Sequence, residues 1–134
     1  MVPRLGILKL KAQIYCGDEP AMGPGKAALL EAIDREGSIS AAGRVLGMSY
    51  RRTWLLVDSM NHCWAEKLVD TTPGGGRERG ARLSACGRDV LATYRAFEQC
   101  LIKAADNPHL ERLQQLIRDR PNRPDAGGSQ AKPS

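Results

Sequence analysis

The chain has 134 residues, of which 26% are charged and only 4% aromatic, and its formal net charge is +5. That length suits one domain, or a domain of about 80–100 residues with appendages, and the core must be built from Leu, Ile, Val, Ala and Met. There is no apolar run of the roughly 20 residues that a membrane helix needs and no charged-then-apolar leader, so a cytoplasmic protein with no membrane partner is expected.

Residues 8–14, LKLKAQI, alternate apolar and polar strictly, which predicts a strand with one buried face. Residues 16–25, CGDEPAMGPG, are turn chemistry. Residues 26–36 place Ala28, Leu29, Ala32 and Ile33 at helical spacing, and Gly37 supplies the stop. Ser40 is the expected N-cap of a short helix over residues 41–46, which Gly47 ends. Ser49 caps a further helix reaching about His62. A short strand over residues 67–72 follows, then TPGGGRERG, which cannot hold regular structure, then a second short strand over residues 81–83. Ser84 caps a long helix to about Ala105. Asn107-Pro108 restarts an amphipathic helix with Leu110, Leu113 and Leu116 inward and Pro108 at its first position. From Pro121 the composition is that of a disordered tail.

This order of elements, with a Gly-containing turn of three or four residues between the second and third helices, is that of a winged helix-turn-helix, a mainly α fold. The expected organisation is a DNA-binding domain over residues 1–83, a helical dimerisation segment over 84–120 and a disordered tail over 121–134.

On a helical wheel of residues 49–62, Thr53, Leu56, Val57 and Met60 share one face, which must be the core face. Arg51, Leu55, Asp58 and His62 lie opposite, flanked by Tyr50, Arg52, Trp54 and Asn61. A helix whose first exposed turn is Tyr-Arg-Arg suits major-groove reading, because Arg offers a two-pronged fork to guanine or phosphate. Charge agrees: residues 38–83 carry seven basic against four acidic groups, whereas 1–37 carry five of each. The alternative for Arg51 and Arg52 is a solvated face, and Trp54 sits at the boundary between groove and core. The triglycine loop lacks the order of a phosphate-binding loop and leads into a strand; as the tip of a wing it would set Arg77 and Arg79 beside the DNA backbone.

In the long helix Leu83, Gly87, Val90, Tyr94, Phe97, Leu101 and Ala104 are spaced alternately by four and three, an a/d seam. Val90, Tyr94, Phe97 and Leu101 are the expected homodimer contacts, although the first half of the seam can equally lie on its own domain. The four cysteines show no C-x-x-C spacing, and adjacent His62 and Cys63 point about 100° apart on a helix, so neither a metal nor a cofactor is expected. No carboxylate pair or nucleophile–base set suggests an enzyme.

The segments LLEAIDREGSISAAGRVLGMSYRRTWLLVDSMN and LVDTTPGGGRERGARLSACGRDVL resemble the N-terminal DNA-binding domain of the ModE family of molybdate-responsive transcription regulators, over about residues 9–101. Ser-Ile-Ser-x-Ala, Gly-x-Ser-Tyr-x-x-x-Trp and the Gly-rich segment carry the match. The first half also resembles the LysR-type helix-turn-helix, whose family continues into a large effector domain. The ModE resemblance implies a transcription regulator linked to molybdenum metabolism that binds double-stranded DNA. Ser49, Tyr50, Arg51, Arg52 and Trp54 then fall on the recognition helix and residues 74–79 form the wing; Ser38 and Leu55 complete the expected contacts.

Two departures bear on the signal. ModE proteins bind molybdate through a C-terminal pair of β-barrel domains, and no strand pattern follows Leu116 here; the family wing is nearly all glycine, whereas Arg77-Glu78-Arg79 interrupts this one. Direct molybdate binding is therefore not expected. Regulation would fall to protein level, to a partner on the last helix or tail, or to thiol oxidation at Cys63 or Cys100. The competing reading is a small oxyanion- or metal-binding accessory protein of molybdenum metabolism.

Overall fold

Strands and helices follow one another as β1 (Arg4–Leu5), β2 (Leu8–Lys9), β3 (Ile14–Cys16), β4 (Glu19–Met22), α1 (Pro24–Glu36), α2 (Ile39–Val45), α3 (Tyr50–Cys63), β5 (Val69–Thr72), β6 (Gly80–Leu83), α4 (Ala85–Ala105) and α5 (Pro108–Leu116). The structure is a computed structural model and describes residues 2–72 and 80–124. Its strands form three antiparallel pairs, β1–β2, β3–β4 and β5–β6, beside a mainly helical body.

The alternation of residues 8–14 survives as burial: Leu8, Leu10, Ala12 and Ile14 are half-buried, and the residues between them are exposed. It does not make one strand. Leu8–Lys9 pairs with β1 and Ile14–Cys16 with β4, and Leu10 N–H between them donates to the Pro3 carbonyl at 3.0 Å. A period of two reports which side chains share a face and not which backbone they bond. Residues 16–25, read as turn, contain β4, whose Ala21 and Met22 are buried.

α1 is the centre of the core. Pro24 occupies its first turn, where a missing N–H costs nothing, and Gly37 ends it at φ +73°, a left-handed conformation that glycine adopts freely. Leu29, Leu30, Ala32 and Ile33 are wholly buried, against Val57 and Met60 of α3, Leu68, Val69 and Leu83.

The cap of α2 is Ser38, not Ser40: Ser38 Oγ accepts from Ala41 N–H at 3.1 Å, and α2 begins at Ile39 because that side chain is 3% exposed. Two serines two residues apart satisfy the same local rule, and burial of Ile39 decides between them. Leu46–Ser49 turns the chain into α3, where Gly43 lets the two helices meet. A Cβ on Gly43 would strike Thr53 Oγ1 and come within 3.0 Å of its Cβ and Cγ2. Thr53 cannot yield, because Oγ1 donates to Ser49 O at 2.8 Å. Gly43→Ala should therefore destabilise the fold: overpacking costs about 1–3 kcal/mol and outweighs the roughly 1 kcal/mol of helix propensity gained. In a Thr53→Ala background the same change should be neutral or stabilising, and urea unfolding of the four chains of this cycle reads the reversal.

Ser84 begins α4 by accepting Gly87 N–H at 2.9 Å and donating to Lys67 O at 2.6 Å. The α4 seam divides. Leu83 and Gly87 pack inward, Gly87 so tightly that a Cβ would meet the Leu68 carbonyl. Tyr94 is 4% exposed and its hydroxyl donates to Ala12 O at 2.7 Å; burial, with the Glu98 carboxylate adding to it, pushes its pKa up to about 12. Tyr94 is thus a core residue of its own chain, which corrects its place in an intermolecular seam. Val90 and Leu101 are half-buried and Phe97 is 43% exposed. α5 is capped by Asn107, whose Oδ1 accepts from His109 and Leu110 N–H, and it buries no residue in this chain.

Candidate nucleic-acid interface

α3 owes its orientation to one anchored face. Ser49 Oγ accepts Arg52 N–H at 3.1 Å and starts the helix. Thr53, Val57 and Met60 are buried behind it, with Leu56 half-buried. With that side fixed, the period of 3.6 leaves Arg51, Leu55, Asp58 and His62 in solvent. Tyr50 is 69% and Leu55 56% exposed, two large side chains left in water around the side of α3 that the core does not cover. Arg51 and Arg52 are exposed and make no ion pair among the described residues.

Trp54, which the sequence left between groove and core, is half-buried and packs against the core. Its ring lies 6.1 Å from that of Tyr50, tilted by 58°, and its buried Nε1 has no hydrogen-bond partner among the described residues. It props Tyr50 from behind. Ser38 is half-buried and engaged as the α2 cap.

Asn61 has a role the wheel did not reveal. Its Oδ1 accepts from Leu68 and Val69 N–H, each at 3.0 Å, and its Nδ2 donates to Val69 O at 3.2 Å. The amide thereby fastens the β5–β6 hairpin to α3. In that hairpin Val69 faces Leu83 and Asp70 faces Arg82; Val69, Ala81 and Leu83 are buried, so Arg82 points outward. A groove of about 460 Å³ runs between α3 and the hairpin, and Asp58, Lys67, Thr72 and Arg82 are among its lining residues. Lys67 and Arg82 are cations that the sequence reading passed over, although Arg82, between buried Ala81 and Leu83, was legible from alternation. Arg77 and Arg79 lie outside the described residues.

On the other flank of α3, Lys26 of α1 lines a groove of about 230 Å³ together with Gln13, Met48 and Arg52. Desolvation lowers the Lys26 pKa, and Arg52 adds to the shift while Cys63 and Glu19 oppose it. Cations therefore line both flanks of α3. Among the described residues no group of three or more His, Cys, Asp or Glu could hold a metal ion, and no helix is long and apolar enough to cross a membrane.

No family model matches the chain. It is 42% identical over 78 residues to the molybdenum transport protein ModE of Azotobacter vinelandii, covering 58% of this chain and 29% of that protein. It is 44% identical over 82 residues to the molybdenum-pterin-binding protein MopB of Rhodobacter capsulatus, covering 61% and 30%. With the DNA-binding transcriptional dual regulator ModE of Escherichia coli K12 it shares 30% identity over 99 residues, 74% of this chain and 36% of that one. The chain spans about a third of the length of these relatives. The chain is a homologue of these ModE and Mop proteins, which it matches over that third of their length.

Proposed function

We propose that the chain is a sequence-specific DNA-binding transcription regulator of winged helix-turn-helix type, acting on genes of molybdenum metabolism. α2 and α3 are the helix-turn-helix, α3 enters the major groove, and β5–β6 is the base of a wing whose Arg77 and Arg79 meet the backbone. The observation that carries this is the outward face of α3: Tyr50, Arg51, Arg52 and Leu55 exposed together, with neither arginine neutralised by a described carboxylate. The name of the Escherichia coli relative supports the partner. Affinity for a cognate operator should fall steeply with salt, as it must when several Lys and Arg displace counterions from phosphate.

The functional unit in this reading is a homodimer built on α4 and α5. Phe97, Leu113, Leu116 and Ile117 are exposed, and an amphipathic helix that buries nothing in its own chain is not stable by propensity alone. A two-fold dimer would protect half-sites about one helical turn, or a multiple, apart. Phe97→Asp should yield folded monomers in sedimentation and weaken operator binding by ~10²-fold or more, the loss of effective concentration when two half-sites are no longer linked. A Phe97→Asp chain that stays dimeric would move the interface to α5.

A further inference from the structure

The end of α3 remote from Tyr50 carries a cluster that DNA reading leaves unused. Cys16 closes β3 directly opposite Glu19 in the β3–β4 ladder. Residues paired in this way project from the same sheet face with Cβ atoms about 4.5–5.5 Å apart. That face lies against the last turns of α3. Ser59 Oγ donates to Glu19 Oε2 at 2.7 Å, His62 Nε2 is 3.6 Å from the same oxygen, and Ser59 Oγ lies 4.0 Å from Cys63 Sγ. Two thiols far apart in sequence are thus gathered at one junction. Both are free; Cys16 is exposed and Cys63 half-buried. The thiols interact: burial above all, then the Glu19 carboxylate and Cys16 itself, pushes the Cys63 thiol up, against a hydrogen bond with Ser59. Cys86 and Cys100 lie on α4, outside this junction. The sequence pointed to Cys63 and Cys100 for oxidation; the fold supplies Cys16 instead.

We propose that Cys16 and Cys63 are a reversible dithiol–disulfide site that fastens the β3–β4 hairpin to the last turn of α3. The oxidant is a small disulfide such as glutathione disulfide. The Cys16 thiolate attacks one of its sulfurs, forming a mixed disulfide and releasing one glutathione thiolate. The Cys63 thiolate then attacks the Cys16 sulfur, forming the protein disulfide and expelling the second glutathione. Two protons leave the two protein thiols, and two electrons reduce one glutathione disulfide to two glutathione thiols. Exposure directs the first attack to Cys16, while half-buried Cys63, whose raised pKa makes it the slower thiol to ionise, resolves the mixed disulfide once its proton has left. The bond forms at the far end of the helix whose first turn would read DNA, so it would hold that helix without touching its reading face.

The test oxidises the whole folded chain with glutathione disulfide, then counts free thiols and maps peptides without reduction. The count should fall from four to two, with the Cys16 and Cys63 peptides joined within one chain. The same bond should form in Cys86→Ser/Cys100→Ser, which leaves the junction intact. Cys16→Ser should lose no pair of thiols and should carry no glutathione at Cys63. A stable glutathione adduct on Cys16 with Cys63 still free would overturn the proposal. So would covalent dimers through Cys100 that leave Cys16 and Cys63 reduced.

Discussion

Replacing Arg51 and Arg52 together by alanine should abolish specific DNA binding while leaving the melting temperature where it is. Each arginine that forks onto a base contributes about 1–3 kcal/mol, so the pair is worth about one and a half to four powers of ten in affinity at roughly 1.4 kcal/mol per tenfold. Stability should not follow, because both side chains are exposed, Arg51 opposite the buried Thr53, Val57 and Met60 and Arg52 on the flank. Removal of Arg52 also relieves its repulsion of Lys26. Arg88→Ala is the matched control: that arginine is exposed too, but it lies on α4 and 3.9 Å from Asp34, and its loss should change affinity little. The single variants separate two modes of contact. One that weakens cognate and unrelated DNA alike, with a shallower salt slope, touches phosphate; one that weakens cognate DNA alone reads a base. A double variant that still binds its operator normally would remove α3 from the groove.

The features that were legible in the sequence are those fixed locally. Ser49 and Ser84 each cap the helix they were assigned, and the helix restart read at Asn107-Pro108 is where Asn107 caps α5, because a side-chain oxygen needs only the N–H groups two or three residues ahead. The core face of α3 was legible for the same reason, since a period of 3.6 and an anchored Thr-Val-Met stripe determine the outward residues. What stayed hidden depends on segments distant in sequence. β4 is a strand because Ile14–Cys16 lies beside it, and its own Glu-Pro-Ala-Met gives no alternation. Asn61 reads as an outward polar residue until the Leu68–Val69 backbone arrives to meet its amide. Tyr94 fits a heptad seam equally well whether the facing surface is another chain or the Ala12 carbonyl of its own. At the candidate interface, likewise, the exposure of Tyr50, Arg51 and Arg52 was readable from the helix alone and the outward side of Arg82 from alternation, while the nearness of Lys67, Arg82 and Lys26 to α3 needed the hairpin and α1.

Arg95→Met, on α4, should strongly destabilise the fold. Arg95 joins that helix to α1: Nε and Nη2 donate to the two carboxylate oxygens of Glu31 at 3.0 and 2.9 Å, and Nη1 donates to Glu98 Oε1 at 2.8 Å. The two carboxylates are not equivalent. The Glu31 side chain is 42% exposed and water can replace its partner, whereas that of Glu98 is 2% exposed and its Oε2 has no hydrogen bond among the described residues. Glu31→Ala removes a surface pair, worth about 0–1 kcal/mol. Arg95→Met strands a buried charge, and stranding one costs about 3–5 kcal/mol. The contrast gives the decisive experiment, because Arg95→Met/Glu98→Met deletes both charges and should recover most of the loss in urea unfolding. A double variant as unstable as Arg95→Met alone would shift the cause to lost packing of the arginine stem. The pH dependence has a definite sign. The hydrogen bond from Arg95 holds Glu31 below its ordinary value of 4.5, against some desolvation. Its contribution is therefore present above the unfolded value and is lost as pH falls through the lowered folded one. Glu31→Gln should flatten that part of the acid limb by lowering stability at neutral pH by about 0–1 kcal/mol, with little change once pH has fallen below the folded pKa. Since α1 packs on α2 and α4 carries the proposed dimer face, in the proposed dimer this network would also set the angle between a reading head and its partner. The doubly apolar variant should regain stability yet bind operators whose half-site spacing is altered with less discrimination than the parent chain.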